Sequence, residues 1–251
     1  MDFALPVPLP HLRREVTRSL AVAGVLLAAV GAGLSLGLGL PPTLPLASLA
    51  AFAFVAAYAL SGLEAHRRPW GPANRVTLLR GGMASLLAGF LAVGPVAPAV
   101  AWGLCVTAVI ALALDGVDGW LARRRDVASP YGARFDMELD TLLTLVLALL
   151  LWRWGEAGPW VLLLGLLRHL FVLAGRVWPR LAAPLPFSQR RRVICVVQVA
   201  VLAAGLAPVV EPPLTGLAAG AALALLLFSF AVDTVWLVRH GSPAADGPDH
   251  G

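Results

Sequence analysis

The chain has 251 residues, 59% hydrophobic and 13% charged, with a formal net charge of +5 and a mean hydropathy of +0.82; a soluble domain of that length needs a larger charged shell, so the composition excludes one. All nineteen basic residues are arginine, and they fall at alternating ends of apolar runs rather than on one basic domain, which excludes nucleic acid as a partner. Cys105 and Cys195 both lie inside apolar segments and give no support to a disulfide framework or a zinc site.

The leader, Met1 to Arg18, is polar and is expected to be flexible. The apolar run after it is too long for the core of an export signal and has no clear cleavage site, so it is expected to stay in the mature protein. From Ser19 to Gly62 there is no charged side chain, enough for two crossings with Pro41-Pro42 as the break. Residues 63 to 75 (LEAHRRPWGPANR) form a basic connector, read either as lying on the membrane surface through its Trp or as an ordinary positive-inside loop. Continuing along the chain, eight spans are predicted in total: residues 17 to 40, 43 to 62, 76 to 94, 99 to 121, 133 to 152, 159 to 177, 193 to 209 and 214 to 237. With both termini cytoplasmic, the clusters at Arg13 to Arg18, Arg67 to Arg80, Arg123 to Arg134, Arg176 to Arg180, Arg190 to Arg192 and Arg239 all lie inside. Only Arg153 lies outside, and Arg168 falls within a span. The outer connections are short and poor in functional groups, so the chemistry is expected to face the cytoplasm. The tail, 241 to 251, is expected to be flexible.

The informative stretch is DGVDGWLARRRDVASPYGARFDMELD, Asp115 to Asp140. Asp115 and Asp118 are three apart and Asp136 and Asp140 four apart, so each pair shares one helical face. At about 1.5 Å per residue, counted from the shared cytoplasmic turn, the two pairs lie at matching depths of roughly 6 to 12 Å. The two helices then need a close approach, and Gly119 and Gly132 are expected to permit it. Each uncompensated carboxylate near a span centre costs about 2.5 to 3.5 kcal/mol. With no lysine present and few arginines placed to neutralise all four, one or two divalent cations with oxygen ligands are the expected compensation, Mg²⁺ or Mn²⁺ rather than zinc. Asp126 reads as a solvated loop charge. Glu138 faces away from the Asp136/Asp140 edge and reads as structural or lumen-lining, while Arg168, His169 and Asp233 read as buried polar pairs.

These residues resemble the signature of the CDP-alcohol phosphatidyltransferase family, D-x-x-D-G-x-x-A-R, eight or nine residues, then G-x-x-x-D-x-x-x-D, and every fixed position is matched. The resemblance implies an all-α polytopic membrane enzyme. Its six-helix catalytic domain would span residues 74 to 240, preceded over residues 1 to 73 by two extra transmembrane helices and the connector. It implies a two-metal site with Asp115, Asp118 and Asp136 as ligands, and Asp140 both near the metals and acting as general base. By the same analogy Gly119 and Ala122 leave room for cytidine, and Arg123 lies near the diphosphate or organises the acids, with Gly132 part of the same substrate site. Asn74, Thr77 and Arg80 resemble the N-x-x-T-x-x-R pattern of the first core helix; Asn74 and Thr77 are candidate contacts to CDP, with a simple helix cap the alternative for Asn74.

The implied reaction transfers a phosphatidyl group from CDP-diacylglycerol to an alcohol acceptor with release of CMP, in phospholipid biosynthesis, by a homodimer in a bacterial cell membrane. Glycerol 3-phosphate is the first acceptor considered. Arg176, Arg180, Arg190, Arg191 and Arg192 are candidates for holding an acceptor phosphate, and are equally readable as topology signals or contacts to anionic lipid. Two alternatives stand beside this reading: transfer from CDP-choline or CDP-ethanolamine to diacylglycerol, and a cation transporter using intramembrane aspartates. The transporter accounts for the acids but not for Gly119, Ala122, Arg123 and Gly132 at their positions.

Overall fold

The computed structural model describes residues 8–63, 70–124, 130–186 and 188–240, without the side chains of residues 117–124. Among the described residues every regular element is helical: α1 (Leu9–Leu38), α2 (Thr43–Ser61), α3 (Pro72–Gly89), α4 (Pro98–Arg124), α5 (Pro130–Arg153), α6 (Leu163–Val177), α7 (Gln189–Gly205) and α8 (Pro212–His240). Short 3₁₀ turns extend α3 at Phe90–Ala92, lead into α6 at Pro159–Leu162 and follow it at Pro179–Ala182. Proline opens α3, α4, α5 and α8, where its missing N–H costs nothing and its fixed φ suits the first turn. Gly39 ends α1 in the left-handed conformation, its φ of 63° closing the helix just before Pro41-Pro42.

Six of these helices, with their 3₁₀ extensions, are long and apolar enough to cross a membrane: α1, α2, α3, α4 up to Gly116, α6 and α8. The other two fall short for reasons written in their sequences. The α5 helix carries Asp136, Glu138 and Asp140, and α7 has 17 residues and opens on Arg190, Arg191 and Arg192.

The N-terminal leader is not flexible from Leu9 onward. Leu12, Val16 and Leu20 recur at four-residue spacing and are buried, while Arg13, Arg14 and Arg18 are exposed, so α1 begins as an amphipathic helix eight residues before the predicted span. The apolar edge packs into a cluster with Leu63, Trp70, Tyr131 and Phe135. Trp70 is 2% exposed, buried inside the protein, so of the two readings of the connector the one that lays it on the membrane surface through its Trp does not hold. Its ring centroid is 6.4 Å from that of Tyr131 and 6.1 Å from that of Phe135. Residues 64–69 of the same connector, with Arg67 and Arg68, lie outside the described residues, while Arg75 pairs with Glu15 of α1 at 3.0 Å.

This aromatic cluster orients α5. Tyr131, Phe135 and Leu139 form a buried stripe at four-residue spacing, and Tyr131 Oη donates to the Ala59 carbonyl of α2. Asp136 and Asp140 each follow one residue behind that stripe, about 100° further round the helix, and so face away from it. The larger core, built on Leu87, Phe90, Leu104, Leu147, Leu151 and Leu202, knits α3, α4, α5 and α7 together.

Candidate active site

The acids meet through α3. Among the described residues α4 and α5 each pack against α3 and α7. A close approach is found at Gly81 of α3, where a Cβ would stand 2.9 Å from Val55 Cγ1 and 3.2 Å from Leu139 Cδ1. On α4 the buried positions Ala101, Leu104, Ala108 and Ala111 form one stripe, and Asp115 continues it one turn further along the helix. Asp115, Asp136 and Asp140 each offer a carboxylate oxygen, and the three oxygens lie within 4.8 Å of one another. The structure thus brings Asp115 of α4 together with Asp136 and Asp140 of α5. Asp118, Gly119, Ala122 and Arg123 lie on the last turns of α4, where side chains are outside the described set, and Asp126 lies in 125–129, also outside it.

Sequence reasoning missed the cation that stands among the acids. Arg80, whose side chain is 3% exposed, lies one residue before the Gly81 contact. One guanidinium nitrogen, Nη1, is 3.1 Å from Asp115 Oδ1 and also pairs with Asp136; Nη2 pairs with Asp140, and Nε donates to the Ala111 carbonyl at 3.1 Å. Its place in N-x-x-T-x-x-R was visible, but its partners lie 35 to 60 residues further along the chain, beyond any local spacing rule. Three converging carboxylates with partly accessible side chains are hard oxygen donors of the kind a divalent cation takes, so the residues present fit a metal.

Asn74 and Thr77 are buried on the same helix. Thr77 Oγ1 donates to the Ala73 carbonyl. The cap reading of Asn74 is overturned: α3 opens on Pro72 with Gly71 at the cap position, which leaves Asn74 inside the first turn. Gly132 lies in the first turn of α5 and is partly buried.

A cavity of about 770 Å³ opens beside the acids, lined by Asp115, Asp136 and Asp140 and, from α6 and α7, by Arg168, Arg191 and Arg192. The five candidate acceptor arginines thus divide. Arg191 and Arg192 reach the cavity, whereas Arg190 is engaged by Asp233 and Ser229 of α8, and Arg176 and Arg180 are exposed away from it. Asp233 Oδ1 also lies 3.5 Å from Arg191 Nη1 as an ion pair. Glu138, read as structural or lumen-lining, pairs with Arg168 at 3.0 Å and lies 3.5 Å from His169; Asp233 is buried in its ion pair with Arg190, while His169 is exposed rather than buried. Arg168 Nη1 also donates to Thr141 Oγ1, which ties the α5–α6 pair to the cavity wall.

No significant match was found among curated proteins or among solved structures. The family model for CDP-alcohol phosphatidyltransferase matches residues 70–235, from the buried Trp70 that anchors α5 to the end of α8 that holds Arg190, and so takes in every element of the site. The matched segment covers well over half of the chain, and the protein belongs to the CDP-alcohol phosphatidyltransferase family, a family of phosphotransferases.

Proposed function

We propose that the protein transfers a phosphatidyl group from CDP-diacylglycerol to a hydroxyl acceptor and releases CMP. The observation that carries this reading is the convergence of Asp115, Asp136 and Asp140 within 4.8 Å at the wall of a 770 Å³ cavity, inside the segment that matches the family. Asp115, Asp118 and Asp136 are the proposed ligands of a divalent cation, Mg²⁺ or Mn²⁺ and in two copies by family resemblance. A bound divalent ion supplies charge neutralisation for the diphosphate as CMP departs. Asp140 accepts the proton of the acceptor hydroxyl, whose oxygen forms the new bond to the lipid-linked phosphorus as the bond from that phosphorus to the CMP oxygen breaks. Arg80, paired with all three carboxylates, holds them together. Gly119, Ala122, Arg123, Gly132, Asn74 and Thr77 are the proposed walls of the nucleotide site.

For the acceptor, the position of Arg191 and Arg192 on the cavity favours a phosphorylated alcohol such as glycerol 3-phosphate. Arg168 joins them as a candidate. Arg176, Arg180 and Arg190 are left to topology and to the α7–α8 pair. The reading includes eight crossings with α5 and α7 among them, the catalytic unit over residues 74–240, and a site open to the cytoplasm, supported by the arginine distribution.

Nucleotide binding tests the site without requiring the acceptor. Calorimetric titration of the purified protein with CDP is expected to show binding with Mn²⁺ present and at least tenfold weaker binding in EDTA, with Asp115→Asn abolishing the metal effect. Cation binding with no affinity for CDP is the result a transporter would give.

A further inference from the structure

The inner end of the cavity holds a polar group that the proposed reaction has not used. Along α7, Ile194, Gln198, Leu202 and Leu206 recur at four-residue spacing and are all buried, the face this helix turns to its neighbours. Gln198 is the polar member of that stripe. It is 4% exposed, and among the described residues its Nε2 has no hydrogen-bond partner. An unpaired buried amide is destabilising, and an aliphatic side chain of the same shape avoids that loss, so the residue fits an acceptor brought from outside the chain.

Gln198 lines the cavity that contains the acids. It lies nine residues into α7 from Gln189, about 13 Å, and Asp140 lies ten residues into α5 from Pro130, about 15 Å. The two residues thus stand at similar distances from the N-terminal ends of their helices, both line the cavity, and Gln198 lies about two turns beyond Arg191 and Arg192 along α7. Thr144, one turn beyond Asp140 on the cavity wall, has its hydroxyl engaged by the Asp140 carbonyl at 2.7 Å. The apolar lining of the cavity includes Leu112, Leu164, Val199 and Phe230. Anionic oxygens are drawn to the arginines and the cation site. What suits a neutral donor among aliphatic side chains is an uncharged, acceptor-only oxygen.

We infer that the Gln198 side-chain amide donates to an ester carbonyl of the lipid donor, which makes Gln198 a specificity-determining residue for acyl ester over alkyl ether lipids. The inference rests on the phosphatidyl-transfer reading. With the diphosphate at the acids and the chains directed into the bilayer, the ester carbonyls are the first hydrogen-bond acceptors on the lipid side of the phosphorus. An ether oxygen at that point is a weaker acceptor and lies off the carbonyl position. A site built around a hydrogen bond discriminates against the analogue that cannot make it.

The test compares CMP release from CDP-diacylglycerol and from a CDP-dialkylglycerol of matched chain length, for the full-length protein and for Gln198→Met. The wild type is expected to favour the diester by about 10- to 100-fold in kcat/KM, and the ratio is expected to fall towards one in the variant. Equal wild-type rates with the two lipids overturn the inference whatever the variant does, and so does an unchanged ratio in Gln198→Met. No CMP from either lipid, with any acceptor, overturns the phosphatidyl-transfer reading and this inference with it; equal rates overturn this inference alone.

Discussion

In the proposed reaction Arg80 holds the acids and Asp140 reacts. The Arg80 guanidinium is buried and faces three carboxylates, an arrangement in which removing the cation leaves uncompensated charge in a low-dielectric setting. Arg80→Gln is therefore expected to lower stability by about 3 to 5 kcal/mol in EDTA, and Mn²⁺ is expected to raise the melting temperature of the variant more than that of the wild type. Equal melting temperatures of the two proteins in EDTA would show that the carboxylates do not need the arginine. For Asp140 the expected loss is in turnover. With the general base removed, Asp140→Asn should release CMP about 10² to 10⁴ times more slowly; a variant that kept the wild-type rate would move the base elsewhere. The acids were legible in the sequence because spacings of three and four fix a helical face. Arg80 was not, because its role comes from α3 lying against both acidic helices, and Gln198 went unnoticed although a lone amide in an apolar four-residue stripe was a readable signal.

At the scale of the elements, the site depends on two seams remote from the chemistry. Gly81 lets α3 approach Val55 of α2 and Leu139 of α5, and the added methyl of an alanine would have to displace both. Gly81→Val is expected to cost about 1 to 3 kcal/mol by overpacking and to reduce metal-dependent CDP binding as well, since Arg80 is its chain neighbour; unfolding in detergent and CDP titration read the two effects. The amphipathic start of α1 is the second seam. Leu12 and Val16 are fully buried against the cluster that orients α5, so Leu12→Ala is expected to cost about 2 to 5 kcal/mol, measured by thermal unfolding. Hydropathy concealed this seam, because Arg13, Arg14 and Arg18 make the segment polar on average while its apolar edge is continuous. Trp70 was left open for a related reason: tryptophan beside arginines in a connector reads as an interface anchor as readily as part of a plain loop, and only the tertiary placement of Tyr131 and Phe135 draws it inward.

Across the whole molecule, the all-helical class and the position of the acids follow from the apolar runs and the fixed spacing of DGVDGWLARRR and GARFDMELD. The crossing number is harder to read, because α5 and α7 carry the functional charge and thereby lose the composition of a membrane span. Eight crossings place Arg153 and Gln189, on either side of α6, on opposite faces. In a Cys105→Ala, Cys195→Ser background, a membrane-impermeant maleimide is expected to label Arg153→Cys from outside and Gln189→Cys from the cytoplasm; labelling of both from one side would contradict the eight-span arrangement. The central claim is the reaction itself, and its most direct test is CMP release by the purified protein in detergent with CDP-diacylglycerol and Mg²⁺ or Mn²⁺, against a panel of glycerol 3-phosphate, inositol, inositol 1-phosphate, serine and choline. Turnover with one acceptor, greatest for glycerol 3-phosphate and lost in Asp140→Asn, is the predicted result. CMP release with none of them, under either metal, would contradict the account.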